Sequence, residues 1–113
     1  MDLLPDPAFD VEVAALTRSD RRAAEAVRHA VQVLAQAEGR IGYPWTSAVR
    51  GASGLRELRP RSGRSRHRVL YRRHGEAILL LALAPEASAD PRGFAQAVGH
   101  AQDRADRIHK ETT

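Results

Sequence analysis

Between Glu57 and Arg68 the chain brings together a carboxylate, an imidazole and several guanidiniums, among them Glu57, Arg59, His67 and Arg68. A carboxylate or an imidazole can take up or release a proton, whereas a guanidinium keeps its charge and clamps anions through paired N–H donors. These types suit proton transfer beside a phosphate. His67 is the leading candidate base, because an imidazole titrates close to neutrality. Glu57 is the alternative base, although a carboxylate among arginines reads equally well as a structural ion pair. His74 and Glu86 complete the proton-transfer candidates, His74 also reading as a plain turn residue. Arg59, Arg68 and Arg72 are the candidate clamps.

The surrounding charge points the same way. Residues 50 to 74 hold nine arginines, including Arg56, Arg61, Arg64, Arg66, Arg72 and Arg73, against the single acid Glu57. The remaining positions carry nine basic and thirteen acidic residues, so the net +4 conceals a basic segment on a mildly acidic body. Such asymmetry favours a polyanionic partner. Seventeen arginines against one lysine could reflect genome composition, but composition explains the residue type and not its clustering. For Arg72 and Arg73 a solvated hairpin edge that discourages strand pairing is an equal reading.

Several classes fall away. The chain has no cysteine, so it offers no disulfide, thiolate nucleophile or cysteine-based zinc site, and a cytoplasmic location is the default expectation. His100 and His109 lie nine positions apart with no third ligand at helical spacing, so no metal or other cofactor is expected. Glycine-rich phosphate loops, GxSxG and HExxH are all missing. The start MDLLPDPAFD does not read as a leader, and the longest apolar run, Ala77 to Pro85, is too short to cross a bilayer.

These residues need elements to hold them. Asp6 and Pro7 suit the cap and first position of a helix carrying Phe9, Val13 and Leu16 on one face, with a short strand through FDVEV as the alternative. A second helix over about residues 20 to 37 has Ala23, Val27, Ala30, Val31 and Leu34 on one stripe and Gly39 as its stop. GRIGYPWTSAVRGASG reads as a loop that Ile41, Tyr43 and Trp45 tuck against the core. Strands follow at Leu55 to Arg59, His67 to Arg72 and Ala77 to Ala84, with a tight turn at His74 and Gly75, giving an antiparallel meander. The nearly continuous apolar run ILLLAL marks a central strand buried on both faces. Tyr71 shares a strand face with Val69, which points it at the core rather than at a ligand. Asp90 and Pro91 open a last helix with Phe94, Val98, Ala101, Ala105 and Ile108 on one stripe. The expectation is one α+β domain over residues 1–113: a small antiparallel sheet packed against two N-terminal helices, with a C-terminal helix.

This order, with GLRELRP, HRVLY and AILLLAL on the strands, resembles the RelE/ParE superfamily of type II toxin–antitoxin toxins, in particular its phage-derived HigB-like branch. The resemblance covers roughly residues 20 to 84 and rests on Glu57-Leu58-Arg59, Arg68 to Tyr71, Ile78 to Leu83 and the glycines and proline of GRIGYP. It implies a RelE/ParE-like toxin, in the RNase members a ribosome-dependent mRNA endoribonuclease (mRNA interferase) working without metal. It also implies a cognate antitoxin protein that covers the basic face, and mRNA on the ribosome as the other partner, with no membrane involved. By that resemblance Arg68 falls on the family's strand arginine and Glu57 on a family position. The catalytic candidates are then Arg68, His67, Arg59 and Glu57, with Arg56, Arg61, Arg64, Arg66, Arg72 and Arg73 as RNA-binding residues. ParE-type members act instead on a protein, gyrase, so a noncatalytic protein binder is the alternative. Two departures stand out: only MDLLP precedes the first helix where the family commonly has a strand, and Ala84, Pro85, Glu86 and Ala87 stand where many RNase members have basic residues.

Overall fold

The computed structural model describes residues 2–112. The chain opens with strand β1 (Asp2–Pro5) and helix α1 (Pro7–Ser19). Asp6 joins them: its Oδ2 accepts the Ala8 N–H at 2.9 Å, while its own N–H donates to the Leu80 carbonyl at 2.9 Å. That cap, with Pro7 at the first helical position, settles FDVEV as helix. Helix α2 (Arg21–Gln36) is capped by Asp20, whose Oδ1 accepts the Ala23 N–H at 3.1 Å. It buries Ala24, Val27, Ala30 and Leu34, and it ends where Gly39, at φ +75°, donates back to the Leu34 carbonyl.

The expected loop contains a short strand, β2 (Thr46–Ala48), before β3 (Arg56–Leu58). A tight turn at Pro60–Gly63 leads into β4 (His67–His74) and β5 (Ala77–Pro85), and α3 (Pro91–Thr112) follows. Strand β4 runs two residues beyond the expected Arg72, so the hairpin turn is Gly75 and Glu76, with His74 paired to Ala77.

Among the described residues the sheet has five strands in the order β1-β5-β4-β3-β2. The expected meander is its β3-β4-β5 portion, antiparallel throughout. DLLP supplies the N-terminal strand that the sequence reading left out: β1 runs parallel to β5, with Leu3 beside Ile78 and Leu4 beside Leu79. At four residues with no alternation, β1 takes its conformation from its partner, and Pro5 is tolerated because the strand lies at an edge.

Strand β5 is buried on both faces, as the run ILLLAL requires. Ile78 and Leu80 pack with Phe9, Val27, Leu34, Val69 and Tyr71 under α1 and α2. Leu79, Leu81, Ala82 and Ala84 pack on the other side against Ala97, Ala101 and Ala105 of α3. Leu81 and Ala82 share this side although they are consecutive, because a bulge lets the pairing jump from Leu70–Ala82 to Tyr71–Leu80. The alanines at four-residue spacing let α3 lie close to the sheet. No helix among the described residues is long and apolar enough to cross a membrane.

Candidate functional site

Successive strand residues point to opposite faces of a sheet, so neighbours in sequence part company. On β3, Arg56 and Leu58 face α1 and α2, while Glu57 faces the other way. On β4, His67, Val69 and Tyr71 share the α1/α2 side, while Arg68, Leu70 and Arg72 share the α3 side. Pairing of Glu57 with Leu70 sets Arg68 one pleat away from the Glu57 carboxylate. Pro85 pairs with His67, and the Glu86 N–H donates to the Arg66 carbonyl at 2.9 Å, which brings the Glu86 side chain to Arg68 as well.

The result is a compact cluster of two guanidiniums and two carboxylates. Glu57 Oε1 lies 2.8 Å from Arg59 Nη1 and 3.7 Å from Arg68 Nε, and Glu86 Oε2 lies 3.3 Å from Arg68 Nη2. Arg68 is buried, with 4% of its side chain exposed. Its Nη1 donates to the carbonyls of Ser65 at 2.6 Å and His67 at 2.9 Å, and its Nη2 donates to the Gly63 carbonyl at 3.4 Å as well as to Glu86. Burial pushes this guanidinium below its ordinary value, Arg59 pushes the same way, and Glu57 and Glu86 oppose both. Arginine stays protonated through such a shift, so the carboxylates and carbonyls are what make the buried charge tolerable. Arg68 therefore braces the turn between β3 and β4 and supplies positive field, with its donors already engaged.

Arg59 is the guanidinium with capacity left. Its Nη1 holds Glu57, its Nε is buried with no hydrogen-bond partner among the described residues, and its Cζ lies over the Tyr43 ring, 5.6 Å from the ring centre. Gly63 makes this possible: at φ +91° its backbone passes so close that an added Cβ would stand 3.0 Å from Arg59 Nη2. Tyr43 is 78% exposed, correcting the expectation that it tucks the loop inward; Ile41 and Trp45 do that instead. Chemically, the cluster offers a guanidinium to a phosphate, two carboxylates to a proton and an open aromatic face to a base.

The other sequence candidates disperse. His67 lies on the opposite face from Arg68, beside Arg22, Arg61, Arg64 and Arg66. Arg56 is turned inward, its Nε donating to Tyr71 Oη at 3.3 Å and its Nη2 to Thr46 Oγ1 at 2.8 Å. Arg72 and Arg73 are exposed near the hairpin, Arg72 against Gly54 and Arg73 towards Gly39. Sequence reasoning missed Tyr43 and Arg22. Tyr43 sits between Gly42 and Pro44, where no periodicity shows which way a ring points; Arg22 looks like any exposed helix arginine until the turn folds over it.

The chain superposes on the YoeB/ParE toxin from Agrobacterium tumefaciens with a TM-score of 0.58 and 16% identity, over 76% of this chain and 99% of that one. It has the YoeB/ParE toxin fold. The YoeB dimer from Staphylococcus aureus matches with a TM-score of 0.57 at 11% identity, over 73% of this chain and 92% of that one. A YoeB–YefM complex from the same organism matches at 0.53 and 10%, over 74% and 93%. No protein-family model and no curated protein matches the chain. At these identities the likeness is one of fold, and on this YoeB/ParE toxin fold the Glu57 cluster occupies the sheet face that α3 leaves uncovered at the β3 end.

Proposed function

We propose that the protein is the toxin of a type II toxin–antitoxin pair, of the HigB-like kind that its strand motifs resemble, and that it cleaves ribosome-bound mRNA without a metal. The observation that carries this reading is the convergence of Glu57, Arg59, Arg68 and Glu86 at one end of the sheet beside the exposed Tyr43. In this mechanism Tyr43 stacks the adjacent base, a carboxylate of Glu57 or Glu86 takes the 2′-hydroxyl proton as the 2′-oxygen bonds to phosphorus, and Arg59 stabilises charge on the phosphorane. The P–O5′ bond breaks as that carboxylic acid returns the proton to the leaving 5′-oxygen, giving a 2′,3′-cyclic phosphate and a 5′-hydroxyl. Arg68 holds the turn and the field. A cognate antitoxin would cover this face and remove the activity; YoeB of Staphylococcus aureus, which shares the fold, is found in complex with YefM.

A second reading has its own support. Two carboxylates facing two guanidiniums leave the cluster with little net charge to attract RNA, and Glu86 stands where a basic residue would help. On that reading the fold serves as a noncatalytic binder of a protein such as gyrase or the antitoxin.

Controlled expression with transcript-end mapping separates the two, using the wild type, Arg59→Ala and Glu57→Gln. Growth arrest with new ends phased to codons, lost in Arg59→Ala, is the expected result. Arrest without new ends, accompanied by loss of supercoiling activity, would reject cleavage and support the protein-binding reading.

A further inference from the structure

On the sheet face opposite the Glu57 cluster, the turn between β3 and β4 closes over the start of α2 and leaves a cavity of about 300 Å³. Arg61, Arg64 and Arg66 enter it from the turn, Arg22 from α2 and His67 from β4. All four arginines are exposed, and among the described residues none of them makes a salt bridge. The lone carboxylate on the wall, Asp20, is occupied in capping α2 through the Ala23 N–H. His67 Nδ1 is buried and, among the described residues, has no hydrogen-bond partner. Four guanidiniums against one carboxylate around a small cavity leave a net positive charge, and a bound anion relieves their mutual repulsion.

We infer that this cavity is a phosphate-binding pocket, separate from the Glu57 cluster and lying back to back with it across β4. Guanidiniums converging from two elements fit a tetrahedral phosphate, whose oxygens accept forked N–H donors from several directions, better than a planar carboxylate that one fork satisfies. The ligand is a phosphate group, either a phosphodiester of a nucleic-acid backbone or a small free phosphate. The backbone source rests on the RNA reading given above; the pocket itself does not.

Inorganic pyrophosphate and a short 5′-phosphorylated oligoribonucleotide are the probes, followed by amide and imidazole NMR shifts of the full chain. Pyrophosphate is expected to shift Ser65 and His67 saturably. The pair Arg61→Ala/Arg64→Ala should weaken it by about tenfold or more, and Arg22→Ala, on a different element, should weaken it too. Arg72→Ala/Arg73→Ala removes the same charge at the hairpin and should change affinity by less than about twofold. Equal weakening by the two pairs, no weakening by either, or no saturable shift would overturn the pocket. Displacement of pyrophosphate by the oligonucleotide assigns the phosphate to a nucleic-acid chain, and simultaneous binding of both assigns it to small phosphates; either upholds the site. Glu57, Arg59 and Arg68 are untouched in these variants, so failure here leaves the cleavage reading standing, and absence of new transcript ends with the wild type leaves the pocket standing.

Discussion

Glu12 and Arg104, ninety-two residues apart, form a paired ion bridge that also completes the edge of β5. Arg104 Nη1 donates to the Leu81 carbonyl at 2.7 Å, and Glu12 Oε1 accepts the Leu83 N–H at 3.0 Å. Strand β1 stops at Pro5 opposite Leu80, so the backbone groups beyond it have no strand to pair with. Two side chains from α1 and α3 take that role, locking both helices to the sheet next to its bulge. Unpaired backbone at this depth would carry the full desolvation penalty.

Replacing Glu12 by Ala therefore leaves the Leu83 N–H without an acceptor and Arg104 without its carboxylate on α1, with the Leu81 carbonyl and Asp6 remaining to it. The expected loss is about 2 kcal/mol of stability, read by denaturant unfolding, with faster hydrogen exchange at Leu83 as the local signature. Unchanged exchange at Leu83 would contradict the role assigned to the bridge.

Arg68→Ala should cost about 3 kcal/mol, because it strands the Glu86 carboxylate and the carbonyls of Gly63, Ser65 and His67 and leaves Glu57 with Arg59 alone. Arg68→Lys keeps the charge but not the fork and should fall between the two. A thermal melt beside each activity assay is then essential, since loss of activity in Arg68→Ala with an intact melt would mean that Arg68 touches substrate directly.

Tyr43→Ala should leave stability within about 0.5 kcal/mol, since the ring is mostly exposed. Its affinity for single-stranded RNA should drop by about 1–2 kcal/mol, the worth of one base stacked on an aromatic ring. Fluorescence anisotropy with a labelled oligonucleotide reads this; equal affinity in wild type and variant would remove Tyr43 from the site.

Gly63→Ala introduces a side chain at φ +91° and against Arg59 Nη2. A cost of roughly 1–2 kcal/mol is expected from the backbone alone, together with displacement of Arg59 from Glu57. A crystal structure or the Arg59 side-chain NMR signals would register the shift, and an unmoved Arg59 would show that the glycine serves only the turn.

Much of this architecture is legible from local signals. Asp6-Pro7 and Gly39 mark helix ends by their own chemistry, and ILLLAL announces a strand covered on both sides. Strands β1 and β2 escape because nothing in DLLP or TSA has a preference strong enough to show without the partner that pairs with it. The cluster of Glu57, Arg59 and Arg68 is foreshadowed by alternation on β3 and β4. The same alternation, applied to Val69 and Tyr71, also separates His67 from Arg68, a step the charge pattern obscures by placing the two side by side. The direction of Tyr43 depends on a loop held by tertiary contacts, which no spacing rule encodes.

Strand β4 displays different chemistry on its two sides, and this shapes how the protein can change over generations. Point substitutions can alter Arg68 without touching His67, or the reverse, so each face can drift alone. Gain or loss of a single residue within the strand would instead exchange the faces wholesale, turning Val69 and Tyr71 out of the core and the guanidinium of Arg68 into it. Residues gained or lost in the turn before β4 leave the strand in phase, so the number of arginines there can change without exchanging the faces.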